Sequence, residues 1–148
     1  MSGGIFLIDN DERLMELVER PYVSESVLQE LLARYPQVLA GDQIDSDEPR
    51  EWLLVARELA VPSEEDGGGR WSVDHLFLDQ DAVPTIVEVK RSTDTRIRRE
   101  VVGQMLDYAA NGVVYWPVES LIAAFQETCR IDGVDPEEKL AALVGAER

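Results

Sequence analysis

Apolar and polar positions alternate along this chain with two periods, and the changes of period mark its elements. Residues 5–8 form a short apolar run closed by the turn-forming Asp9-Asn10-Asp11. Residues 13–21 fit either a strand or a short helix and are assigned to the second half of a hairpin. Residues 24–35 carry an apolar stripe at helical spacing through Val27, Leu28, Leu31 and Leu32. Ser24 and Ser26 are its N-cap candidates, and Ser26 with Gln29 fits a capping box. Pro36 ends that helix or opens a short further turn closed near Gly41, and residues 42–50 form an acidic loop.

Period two then takes over. Residues 52–59, 71–79 and 85–90 read as strands, separated by a glycine-rich loop at 63–69 and a turn at 80–84, so the last two should form a hairpin. After a polar linker at 92–95, residues 97–111 return to helical spacing through Ile97, Val101, Met105 and Tyr108, with Asn111-Gly112 as the expected stop. A fourth short strand is expected at 113–116. Amphipathic helices follow at 118–130, through Leu121, Ile122, Phe125 and Cys129, and at 135–144, with Asp135 as N-cap and Pro136 at the first helical position. The order is helix, three strands, helix, strand, helices, which defines a mixed α/β domain. One domain over residues 1–148 is expected, with a core at about 22–116 and a helical extension at 117–148 leading toward a further C-terminal part.

Composition narrows the function classes. The 148 residues suffice for one buried core, and 45% hydrophobic residues is ordinary for a globular chain. No apolar run is long enough to span a bilayer and the first residues lack a signal-peptide pattern, so the expected location is cytoplasmic, away from membranes. A single cysteine, Cys129, excludes an internal disulfide and a cysteine-based zinc site, and the single histidine, His75, excludes a histidine-rich one. The net charge of −16 argues against a protein that coats nucleic acid nonspecifically. Lys90, Arg91, Arg96, Arg98 and Arg99 nevertheless place five of the fourteen basic residues within ten positions, opposed there by Asp94 alone.

That basic stretch begins on the most unusual strand. Ile86-Val87-Glu88-Val89-Lys90 sets a carboxylate and an ammonium on one strand face, among β-branched residues that favour burial. Charges enter such a strand when they are paired or bind a metal. Glu137-Glu138-Lys139 has the same acidic-x-Lys pattern but lies on a helix, where positions two apart do not face each other. Asp74, fourteen residues before Glu88, comes alongside it if the two strands form a hairpin. Two adjacent carboxylates repel unless a cation lies between them or one holds a proton, and a hard ion such as Mg²⁺ suits their oxygens. His75 alternates away from Asp74 and is expected to pack or hydrogen-bond. Cys129 is expected to be buried and inert.

Asp74, the hairpin spacing and Glu88-Val89-Lys90 resemble the PD-(D/E)XK nuclease superfamily, whose restriction-endonuclease-like core has the same order of elements. Gln104 and Tyr108 resemble the Q-x-x-x-Y motif of some branches, and Glu25 stands where many members carry a helical carboxylate. Val73 replaces the proline in the family's name. The resemblance implies a nuclease dependent on Mg²⁺ or Mn²⁺. Asp74 and Glu88 would be metal ligands, with Glu25 assisting directly or through water. Lys90 would orient water or stabilise charge, and Gln104 would hold Lys90 or the nucleic-acid backbone. Arg91, Arg96, Arg98, Arg99 and Tyr108 would contact nucleic acid, with DNA ahead of RNA as substrate and a homodimer as a candidate assembly. The alternative expectation is a catalytically inactive nuclease-like module that binds nucleic acid or protein inside a larger protein.

Overall fold

A computed structural model describes residues 5–18, 20–62, 71–91 and 100–145. The expected loop at 63–69 and linker at 92–95 lie outside these residues, as do Arg96, Ile97, Arg98 and Arg99.

The chain opens with an antiparallel hairpin of β1 (Ile5–Ile8) and β2 (Leu14–Leu17), in which Ile5 faces Leu17 and Leu7 faces Met15. Asp9 closes the turn, its Oδ1 accepting the backbone N–H groups of Asp11 and Arg13. All the large apolar side chains of this hairpin are exposed. Helix α1 (Glu25–Arg34) follows. Ser24 is its N-cap residue, but the Ser24 hydroxyl bonds that of Ser26 and not the helix N–H groups. The capping box expected from Ser26 and Gln29 is therefore absent, because Ser26 already lies inside the helix. Pro36–Val38 and Gly41–Gln43 form short 3₁₀ turns.

A second sheet carries the core. Strands β3 (Trp52–Val61), β4 (Trp71–Asp79) and β5 (Pro84–Val87) pair antiparallel in that order. A bulge between Leu54 and Ala56 shifts the β3 register, and Leu53, Leu54, Val55 and Ala56 are all buried despite the alternation expected of a strand. The β4–β5 turn is built by Asp79, whose Oδ1 accepts the N–H groups of Asp81 and Val83 while its Oδ2 receives Arg50. This hairpin matches the expected one, and β4 keeps its expected bounds.

Helix α2 (Val102–Tyr115) absorbs the stretch expected to form a fourth strand. Asn111 and Gly112 do not end it. Asn111 Nδ2 donates back to Asp107 O, and Gly112 is buried where a Cβ would lie 2.7 Å from the Trp116 ring. The β-branched pair Val113-Val114 suggests a strand only where a ladder partner exists, and the i−4 hydrogen bond from Trp116 N to Gly112 O continues the helix instead. Helix α3 (Val118–Asp132) ends on Gly133 at φ 68°, with Val134 N bonding back to Cys129 O. Helix α4 (Pro136–Gly145) is capped by Asp135, which accepts from the N–H groups of Glu137 and Glu138.

Leu53, Val55, Ala56, Val61, Val73, Leu76, Tyr108, Phe125 and Cys129 form the buried cluster that joins the sheet to α2 and α3. The result is a mixed α/β fold with a three-stranded antiparallel sheet and several helices. Among the described residues no helix is long and apolar enough to cross a membrane.

Candidate active site

The β4–β5 register, with His75 opposite Val87, would set Asp74 opposite Glu88 if continued by one residue. The ladder stops there instead. Val89 N donates to Asp74 Oδ2 at 2.7 Å, and Arg91 N donates to Glu25 Oε1 at 3.0 Å. Two carboxylates, one from β4 and one from α1, thus take backbone donors on alternate residues of the chain leaving β5. This is why the strand ends at Val87 and not at the expected Lys90. Segment 88–91 remains directed by hydrogen bonds, but to side chains.

Between those two anchors, Glu88 and Lys90 meet. Lys90 Nζ donates to Glu88 Oε1 at 2.7 Å, and Gln104 Nε2, from α2, donates to the same oxygen at 3.3 Å. Gln104 Nε2 also contacts the Tyr108 hydroxyl one helical turn on. The Glu88 side chain is only 5% exposed and that of Lys90 25%. Among the described residues, Glu88 Oε2 is buried with no hydrogen-bond partner. Burial alone would lower the Lys90 pKa, but the hydrogen bond to Glu88 and the charges of Glu88, Asp74 and Glu25 outweigh it and hold the ammonium above its ordinary range.

His75 is fully buried, bonds Gln29 O through Nε2 at 2.7 Å and stacks on Phe77. It therefore ties α1 to β4, in agreement with its expected packing role. Burial pushes its pKa down. The Gln29 bond and the charges of Asp74 and Glu88 oppose that shift, and Arg57 adds to it. Cys129 is likewise fully buried, which pushes its thiol up, as expected of an inert residue.

The fold thus gathers Asp74, Glu88, Lys90 and Gln104 at one place, with Glu25 at its edge. Tyr108, expected to contact nucleic acid, is 3% exposed, its ring tilted against Trp71 and its hydroxyl spent on Gln104. Among the described residues, no three histidine, cysteine, aspartate or glutamate side chains come together as a metal-holding group, and Glu25 stands at the edge of the site with a backbone donor on its carboxylate. Arg91 is exposed at the border of the site, whereas the rest of the basic stretch from Arg96 to Arg99 lies outside the described residues. The backbone donors of Val89 and Arg91 have no signature in side-chain identity; only the strand period before them hints that alternate amides face one way.

A groove of about 850 Å³ runs elsewhere, along β3 between Arg34 of α1 and Thr128 of α3. None of Asp74, Glu88, Lys90 or Gln104 lines it. Among the described residues, this groove has no buried charged group without a hydrogen-bond partner. The carboxylate cluster does, and is the stronger chemical candidate.

Comparison with protein-family models, with curated proteins and with solved structures finds no significant match to this chain.

Proposed function

We propose that this chain is a nuclease domain, dependent on Mg²⁺ or Mn²⁺, that hydrolyses phosphodiester bonds of nucleic acid, with DNA ahead of RNA, on a restriction-endonuclease-like core. The observation that carries this reading is Glu88. Its carboxylate is almost wholly buried, keeps one oxygen without a hydrogen-bond donor among the described residues, and lies just past the end of β5, one register position beyond His75–Val87 on the side of Asp74. A buried anionic oxygen without a partner is costly, and a cation is the ligand that relieves it. Helix α1, the meander β3–β5 and helix α2 would supply the core for this reading, with residues 113–115 helical where a further strand was expected.

Asp74 and Glu88 would hold the divalent ion, each having one oxygen already oriented by a protein donor. The ion would supply positive charge against the phosphate oxygens as negative charge builds on them. Lys90, held charged by its acidic surroundings, adds a second cation beside the reacting phosphate. Gln104 fixes the rotamer of Glu88 from α2. Arg91 and the basic stretch beyond it would hold the nucleic-acid backbone against the repulsion of a chain with net charge −16.

Incubation of single- and double-stranded DNA and RNA with the protein, with and without Mg²⁺ or Mn²⁺, tests this directly. Metal-dependent cleavage lost in Asp74→Ala is expected; intact substrate under every condition would overturn it. The Lys90–Glu88 bond also suits a second reading, since a mutually neutralised pair can be purely structural. A non-catalytic module would bind nucleic acid with steep salt dependence, undiminished in Glu88→Ala and without turnover.

A further inference from the structure

Glu25 is the first residue of α1, where a carboxylate ordinarily faces the unpaired N–H groups of its own helix. Here it reaches a backbone N–H sixty-six residues further along the chain, that of Arg91. Gln29, four residues on and on the same helix face, gives its carbonyl to His75 Nε2 of β4. Helix α1 is therefore joined at two points: to β4 through the Gln29 carbonyl and, through Glu25, to the segment that bears Glu88 and Lys90. Asp74 performs the same service from β4 two residues earlier, at Val89 N. The backbone amides flanking Lys90 are thus held from two elements, and the Glu88–Lys90 contact lies between those anchors.

We propose, resting on the nuclease reading, that Glu25 is a positioning residue: it accepts the Arg91 N–H and so fixes the backbone from which Glu88 and Lys90 project. Its hydrogen-bond acceptor matters for this role, and its charge does not. A ligand role would require the reverse, because a neutral amide oxygen is a far poorer partner for a hard divalent ion than a carboxylate.

The two roles separate in Glu25→Gln and Glu25→Ala. Glutamine keeps an acceptor oxygen at the same reach and loses the charge, whereas alanine loses both. Three quantities are measured on the full chain: hydrogen exchange of the Arg91 amide, Mn²⁺ affinity by titration calorimetry, and kcat and KM for metal-dependent cleavage. The expected result is that Glu25→Gln preserves Arg91 protection and stays within about threefold of wild type in Mn²⁺ affinity and kcat. Glu25→Ala should lose the protection and weaken Mn²⁺ binding by about 10- to 100-fold, the range seen when groups that orient metal ligands are removed. The fall should appear in kcat more than in KM. Glu25→Gln as impaired as Glu25→Ala would overturn the inference, as would an unprotected Arg91 amide in the wild type. Failure of the nuclease reading is distinguishable, because wild type would then bind no Mn²⁺ while Arg91 exchange still reports the Glu25 contact.

Discussion

Replacing Lys90 with alanine removes the ammonium that neutralises Glu88. What remains, among the described residues, is a carboxylate with 5% of its side chain exposed, one oxygen with no partner, and the other held by Gln104 at 3.3 Å. Breaking a buried ion pair from one side costs about 3–5 kcal/mol. Lys90 is itself a quarter exposed, so water enters where it stood, and the cost should fall below that range, to about 2–3 kcal/mol. In a chain of this length that is a melting-temperature loss of about 4–12 °C. Urea unfolding followed by the fluorescence of Trp52, Trp71 and Trp116 reads it directly. A cycle with Glu88→Gln isolates the pair: Lys90→Ala should be much milder in that background, with a coupling of about 1–3 kcal/mol. The Lys90 pKa is raised in the folded state, so the stabilisation is fully present below the ordinary lysine pKa and is lost as pH rises through the folded value. The difference between wild type and Lys90→Ala should therefore shrink only in strongly alkaline solution. A Lys90→Ala variant within about 0.5 kcal/mol of wild type at neutral pH, or one whose effect is unchanged by Glu88→Gln, would refute the reasoning.

Two further outcomes follow from other parts of the fold. His75 has a folded-state pKa lowered by burial, so its stabilisation is fully present above the ordinary histidine pKa and is lost as pH falls through the interval down to the folded value. His75→Gln retains a donor for Gln29 O without titrating there; melting curves from pH 8 to pH 5 should fall more steeply for wild type, and parallel curves would contradict the assignment. Gly112→Ala would place a Cβ 2.7 Å from a Trp116 ring held by its own bond from Nε1 to Ala60 O. Overpacking of about 1–3 kcal/mol outweighs the gain of about 1 kcal/mol from replacing a helical glycine, so a net loss of about 1 kcal/mol is expected by denaturation and a gain would refute the packing.

The legible parts of this chain are those in which side-chain period and backbone pairing agree. Trp71–Asp79 has both the alternation and a closing turn, and its bounds coincide with the expected ones. The separation of Asp74 from Glu88 was readable because the β4–β5 hairpin turns the sequence separation into a register. Val113-Val114 misled because β-branched residues describe a strand only when a neighbour offers a ladder, and here the backbone keeps helical bonds as far as Trp116. Tyr108 belongs both to the apolar stripe of its helix and to the Q-x-x-x-Y spacing; the stripe places its ring in the core, and its hydroxyl is left for Gln104. The least legible feature is the pairing of Glu25 with Arg91, since a carboxylate bonded to a backbone N–H leaves no trace in the identity of the residue that supplies it.

The central claim is that Glu88, with Asp74, forms a cation site. Titration of Mn²⁺ into wild type, Asp74→Ala and Glu88→Gln, each confirmed folded by circular dichroism, tests it most directly. One Mn²⁺ bound per chain in wild type, with binding abolished or weakened at least tenfold in both variants, is the predicted result. Wild type that binds no Mn²⁺, or variants that bind it as tightly as wild type, would contradict the claim.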